Sequence, residues 1–270
     1  AGKIGLQAEL ITKDDYARLA EFDALFIRAT TSVDHYTYRF ASRAQAYGMA
    51  VIDDPQSIVR AANKVFQAEV LGRHGVPIPR TLIVHRDNVD RVAEELGLPC
   101  VLKQPDSAFS QGVCKVATLE ELAREVERLL DESELVVAQS FVPTEYDWRV
   151  GVFGGQPLYT CRYFMARGHW QIIKSDGPQA DFGKVEALAV EDAPGHVVRA
   201  AVRAARLIGD GLYGVDLKQH GRRCYVIEVN DNPNLDAGYE DRVLKGELYE
   251  RVMTSFVERI ERLKAPRTRR

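Results

Sequence analysis

The 270 residues contain no CxxC and no HxxxH pair. Four cysteines (Cys100, Cys114, Cys161 and Cys224) stand far apart, and the six histidines form no ligand-spaced pair. That spacing argues against a zinc site and against a redox dithiol. The thiols read as buried or free, as in a reducing compartment, so the expected location is cytoplasmic. No apolar run is long enough to span a bilayer, and no signal-peptide pattern opens the chain. A net charge of −3 gives no reason to expect a nucleic-acid or membrane partner. Neither GxGxxG after a first strand nor GxxxxGK[ST] is present. Any nucleotide must be held by other devices. Internal repeats and low-complexity segments are absent too. The chain opens on Ala1 rather than Met, as expected of a processed, tagged or excised segment, and its basic end, 264–270, reads as a solvated tail.

What is present suits a globular protein of one large or two modest domains, 46% hydrophobic and 28% charged. Strands are expected over 23–29 and 49–52, flanking a helix over 35–47. Asp54-Pro55 should open a helix running to Arg73, with Asp54 as N-cap and Pro55 in the first turn. After the stiff Gly75-Val76-Pro77-Ile78-Pro79 come strands over 80–84, 100–104, 113–116 and 135–139. Helices are expected over 89–96 and from a capping box, Thr118 to Glu121, as far as Leu130. A hairpin over 148–153 and 157–163, a strand over 169–174, a loop over 175–193 and a helix over 195–208 follow. The last helix should cover 242–263. Helices mixed with largely antiparallel strands indicate an α+β fold.

Gly214-Val215-Asp216-Leu217-Lys218 and Val226-Ile227-Glu228-Val229-Asn230 form a second hairpin about 220–223. This pairing sets Asp216 opposite Glu228, with Asn230 two residues on and on the same face. Facing carboxylates repel, and a hard cation between them removes the conflict. Oxygen donors without nearby His or Cys suit Mg²⁺. From the hairpin alone, an exposed acidic ribbon without metal is an equal alternative.

Lys64 and Lys103 offer point charges for phosphate, and Lys103 ends an apolar strand where its charge needs a partner. The loop 107–112, with Ser107, Ser110 and Gly112, could fold its amides over phosphates or simply connect two strands. Gln139-Ser140-Phe141-Val142 has the form of a strand end whose backbone reads a base edge between apolar walls. Asp147 and Arg149 share a face: either a surface ion pair, or a site group in which Arg149 meets a γ-phosphate or an oxyanion.

In their order and spacing, Asn63-Lys64, 75–81, Val101-Leu102-Lys103, 139–142, Asp147-Trp148-Arg149, Gly214-Val215-Asp216 and Ile227-Glu228-Val229-Asn230 with Asn232-Pro233 resemble the ATP-grasp superfamily. The resemblance is greatest to RimK-like carboxylate–amine (glutamate) ligases, and it covers about 53–240. It implies an ATP-grasp domain of two α+β lobes over 55–265, preceded by a shortened α/β region over 1–54 and followed by the tail 266–270. It implies ATP held by Lys64, Lys103, Ser110, Gly112, Gln139, Ser140, Phe141, Val142 and Asp147 (or Glu145). By the same resemblance Asp216, Glu228 and Asn230 hold Mg²⁺, or Mn²⁺ in its place, while Arg149, Arg162 and Lys174 face the phosphates or acyl substrate. The chain departs from the family in its single loop glycine, in Ser140 where many relatives carry Glu, and in Asn232-Pro233-Asn234 where Pro-Gly is usual.

The reaction so implied joins a small-molecule or peptide carboxylate to an amine or amino acid through an acyl phosphate. A kinase acting on a hydroxyl and a non-catalytic ATP-binding module are the alternatives. The amphipathic last helix packs either internally or, in a homo-oligomer, against a second subunit.

Overall fold

A computed structural model describes residues 1–106, 112–174 and 181–265, with Lys174 and Phe182 described by backbone alone. Its first unit is small. β1 (Ala24–Phe26), α1 (Tyr36–Ala46) and β2 (Ala50–Ile52) make a parallel pair with Leu25 opposite Val51. A 3₁₀ segment over Lys13–Glu21 precedes it, opened by a capping box in which Thr12 N donates to Asp15 Oδ2 at 2.8 Å.

Asp54 caps α2 (Pro55–Ala62), its Oδ1 accepting from Gln56 N and Ser57 N at 3.0 Å each. The helix expected to run to Arg73 is in fact two. Asn63 turns extended (φ −101°, ψ 105°), and its side chain accepts from Phe66 N at 2.8 Å to cap α3 (Lys64–Arg73). An Asn that satisfies a new helix start in this way competes with continuing the old one.

β3 (Thr81–Val84), α4 (Arg91–Leu96), β4 (Cys100–Lys103), β5 (Val113–Val116), α5 (Leu119–Glu132) and β6 (Val136–Ser140) follow. The strands form an antiparallel sheet in the order β3-β6-β4-β5. Leu102, Val116 and Ala138 on one face pack with Val92 of α4 and Leu122, Val126 and Leu129 of α5. Period-two alternation therefore turns Lys103 and Gln139 to the other face. The box expected at Thr118 closes by half: Thr118 Oγ1 accepts from Glu121 N, but the Glu121 carboxylate reaches Ala117 N at 2.8 Å.

The second lobe comprises β7 (Tyr146–Phe153), β8 (Gln156–Phe164), β9 (Ile173–Lys174), β10 (Asp181–Phe182), β11 (Val185–Leu188), α6 (Gly195–Ile208), β12 (Leu212–His220), β13 (Arg223–Asp231) and α7 (Gly246–Lys264). Five of these strands form a sheet in the order β11-β8-β7-β12-β13, and β9 pairs with β10. β11 lies where a loop was expected. It pairs with the edge of β8, yet all four of its residues are half-buried, so no alternation marks it. α7 starts four residues later than expected. Trp148, Val150, Val215 and Leu217 face α6, where Ala201, Ala204 and Ala205 permit close approach. The opposite face sets Tyr159, Cys161 and Leu212 against Leu248, Val252 and Phe256 of α7 and Ala50 and Ile52 of β2. Each such α7 side chain contributes about 1.5–3 kcal/mol of burial. The last helix thus packs within the chain. All four cysteines are free thiols. Among the described residues no helix is long and apolar enough to cross a membrane.

Candidate functional site

Asp216 on β12 stands cross-strand from Glu228 on β13, as the hairpin reading requires. Asn230, opposite Gly214, leaves the same face, and its Nδ2 donates to Asp216 Oδ2 at 3.1 Å. Gly214 is there for space: a Cβ would sit 2.8 Å from the Pro233 side chain and 3.4 Å from that of Arg149. Arg149, on β7, is the other cross-strand neighbour of Asp216. Its Nε and terminal nitrogen donate to the two Asp216 oxygens at 2.6 and 2.7 Å. Burial opposes the guanidinium charge, and Asp216 more than offsets it, so the Arg149 pKa is raised. Lys64 Nζ, from the first turn of α3, lies 3.3 Å from Glu228 Oε1.

Asp147 and Arg149 do not pair with each other. Asp147 accepts from Lys218 Nζ at 2.6 Å and from Thr144 Oγ1 at 3.0 Å. Burial raises the Asp147 pKa, and Lys218 opposes the rise. Adjacent strands thus carry two ion pairs of opposite polarity on one face. Lys103 faces them from the first lobe. Lys64, Gln67, Lys103, Val137, Gln139 and Ile227 line a single cleft between the two sheets. Burial pulls the Lys103 pKa down to about 8; Glu228 opposes this, and Lys64 adds to it.

Several site groups carry no signal in the sequence reading. The Arg149 guanidinium stacks 5.0 Å over the Tyr163 ring. The Tyr163 hydroxyl donates to the buried Glu240 carboxylate, whose other oxygen accepts from Asp236 N at 2.8 Å. Tyr159 donates to Asn234 O at 3.0 Å. Burial raises both tyrosine pKa values. Tyr163 stands opposite Asp147, so same-face spacing along β8 was the available clue.

Arg162 is not brought to this face. It stands cross-strand from Trp148, stacks 5.0 Å from the Tyr146 and Trp148 rings, and approaches Glu186 of β11 at 3.7 Å. Strand alternation therefore separates it from Arg149. Ser110 lies outside the described residues, as does the Lys174 side chain, whose backbone pairs with Asp181. Gly112 closes the base of its loop, with Gln104 N donating to its carbonyl at 3.0 Å. At the end of β6, Ser140 N donates to Arg80 O at 2.9 Å, and Phe141 N to Pro99 O at 3.4 Å. Those amides are thus occupied within the protein. Gln139 donates to Thr81 at 3.1 Å. Phe141 meets Trp170 edge-on at 6.0 Å, and Lys115 Nζ lies 4.8 Å from the Phe141 ring; Val142 is half-buried.

Two carboxylates and a carboxamide on one strand face form an oxygen-only donor set, which fits a hard divalent cation completed by phosphate oxygens. No group of three or more His, Cys, Asp or Glu placed to hold a metal by themselves arises among the described residues. Nearby, Asp53 Oδ1 and Asp231 Oδ2 are buried without a donor. Burial and then Asp231 raise the Asp53 pKa; burial first raises that of Asp231, to about 6. Asp53 Oδ2 accepts from Asn232 N at 2.8 Å, and Arg28 donates to Asn232 Oδ1 at 2.6 Å. These bonds tie the first unit to the end of β13.

Residues 61–246 match the RimK-like ATP-grasp domain. A probable alpha-L-glutamate ligase of Thioalkalivibrio sulfidiphilus is 27% identical over 222 residues, covering 81% of this chain and 71% of the relative. Another of that description, from Vibrio vulnificus, is 26% identical over 258 residues, covering 93% and 81%. The fold is similar to that of the D-alanine–D-alanine ligase of Bacillus anthracis: TM-score 0.71, 16% identity, 92% of this chain and 84% of that one. It is also similar to the ATP-grasp ligase PsnB solved with a phosphomimetic variant of its minimal precursor, Mg and ADP: TM-score 0.64, 22% identity, 88% and 79%.

Proposed function

Because the chain belongs to the RimK-like ATP-grasp family, and is thus an ATP-dependent carboxylate–amine ligase, we propose that it joins an amino acid of the glutamate class to a peptide or small-molecule carboxylate. The observation that carries this reading is the convergence of Asp216, Glu228 and Asn230 on one face of the β12–β13 ladder, with Lys103 near enough to feel the Glu228 charge.

In the proposed reaction a substrate carboxylate oxygen attacks the γ-phosphorus of ATP, and ADP leaves. The amine nitrogen then attacks the acyl carbon; phosphate leaves, one proton is lost and an amide remains. Carboxylate is a poor electrophile, so the phosphoryl group supplies the leaving group. The protein positions the partners and neutralises charge. Asp216, Glu228 and Asn230 would hold Mg²⁺, with Mn²⁺ as a substitute, and the bound ion supplies charge neutralisation at the β- and γ-phosphates. Lys64 and Lys103 neutralise phosphate oxygens, and Arg149 favours the charge that develops on transfer. Asp147 borders the ribose. The nucleobase lies beside Phe141, with its edge read at Val142, because the two preceding amides already have acceptors.

The test is ADP release with L-glutamate and a pool of short peptides, followed by product mass and hydroxylamine trapping. Only an acyl phosphate yields a hydroxamate. ADP formation without hydroxamate would replace this reading with transfer to a hydroxyl.

A further inference from the structure

We infer that Arg149 and Lys64 serve two sets of anions in turn, the metal-ligand carboxylates in the resting protein and the nucleotide phosphates in the loaded one, so that divalent cation and nucleotide bind cooperatively. The inference rests on the metal assignment proposed above. Both Asp216 oxygens accept from Arg149 at 2.6 and 2.7 Å, and Glu228 Oε1 lies 3.3 Å from Lys64. A divalent cation needs those same oxygens.

Arg149 and Lys64 are only 14% and 9% exposed. If a cation alone took the carboxylates, the largely buried Arg149 would lose both of its Asp216 acceptors and Lys64 its Glu228 neighbour, which is costly. Nucleotide alone would create the opposite fault. Its phosphates would draw Arg149 and Lys64 away and leave Asp216 and Glu228 facing each other across the ladder. When both ligands arrive, Asp216 and Glu228 face the cation while Arg149 and Lys64 face the phosphates. The coupling is therefore positive, and by linkage it is reciprocal. The Lys218–Asp147 pair, closed by Thr144, stands outside this exchange. The Tyr163 ring, anchored by Glu240, keeps the Arg149 guanidinium on this face while its anion changes.

The experiment titrates the full chain with Mn²⁺ in the absence of nucleotide, followed by electron paramagnetic resonance. It compares wild type, Arg149→Met and Arg162→Met, the last removing the same charge on the opposite face. Arg149→Met is expected to bind Mn²⁺ about tenfold more tightly than wild type, with Arg162→Met within about twofold of wild type. Equal affinities for wild type and Arg149→Met would overturn the exchange. A crystal structure of wild type with Mg²⁺ and a non-hydrolysable ATP analogue supplies a readout that needs no variant. Arg149 should then lie within hydrogen-bond distance of a phosphate oxygen and no longer hold Asp216. Retention of both Arg149–Asp216 bonds beside a bound cation overturns the exchange alone. A cation held away from Asp216 and Glu228 overturns the metal assignment, and the inference with it.

Discussion

Asp216 and Glu228 face each other across the β12–β13 ladder, yet each has its own counter-ion, Arg149 for one and Lys64 for the other. Each carboxylate is charge-balanced, as the proposed cation site requires when it holds no cation. Glu228→Gln preserves shape and removes the charge. It should lower the rate of ADP formation by about 100-fold or more while the far-UV spectrum stays that of wild type. Turnover at the wild-type rate would remove Glu228 from the site.

Lys103 holds its proton with a pKa of about 8 when folded, against 10.5 as the reference value. Between those values the unfolded chain binds the extra proton, so stability rises with pH across that window. The penalty is complete below pH 8. Lys103→Met should stabilise the unliganded protein by roughly 2–3 kcal/mol at pH 7 and flatten the rise, as denaturant melts at pH 7 and 10 would read. ATP affinity should fall in wild type above pH 8, as the phosphate partner loses its charge, and show no such fall in the variant.

Asp53 and Asp231 each bury an oxygen without a donor. Burial raises both carboxyls, Asp231 to about 6 and Asp53 well above the usual range, so the folded protein binds the extra proton as pH falls. Stability from this pair is therefore fully present at low pH and lost as pH rises. Asp53→Asn supplies a donor in place of a charge. It should stabilise the protein by about 1–2 kcal/mol at pH 8 and by less at pH 5. Equal effects at both pH values in thermal melts would contradict the assignment.

Tyr163 holds the buried Glu240. Tyr163→Phe keeps the ring under Arg149 but removes the donor to Glu240 Oε1, leaving only Asp236 N on the other oxygen. A loss of about 1.5–3 kcal/mol is expected in urea melts, and tenfold less turnover if the Arg149 seat loosens with it.

Only two tryptophans report on the protein, and they differ in setting. Trp148 is buried, with its indole donating to Gln219 at 2.8 Å, whereas Trp170 is half-buried and meets Phe141 edge-on. ATP binding should change the emission of Trp170 alone. Trp170→Phe should abolish the nucleotide-dependent signal while leaving affinity, measured by calorimetry, within about tenfold, since one edge-on aromatic contact is worth about 0.5–1.5 kcal/mol. A signal that survives in the variant would place the base elsewhere.

The hairpin carrying Asp216, Glu228 and Asn230 was legible because a short turn and period-two alternation fix both register and face. The strands of the sheet carrying Lys103 were legible instead as short apolar runs between turn signals, since β4 is buried at every position. Arg162 was misplaced because its face depends on the register of β8 against β7, which shifts at Gly151–Val152. One residue of slip exchanges every side chain between faces, and nothing in the local pattern reveals that shift. β11 was missed because half-burial on both sides erases alternation. The break at Asn63 had its signal, a strong capping residue inside a helical pattern, and the apolar spacing on either side outweighed it. Tyr163 and Glu240 are 77 positions apart, so their partnership exists only once the chain has folded.

That break at Asn63 also has a mechanical consequence. Where α3 begins, Lys64 N donates to Pro105 O at 2.8 Å, and Asn63 Nδ2 to Asp106 Oδ1 at 3.1 Å. The root of one lysine is thereby stapled two residues past the root of the other. The spacing between the two lysine roots is thus fixed by direct bonding between their chain segments rather than by the packing of either sheet.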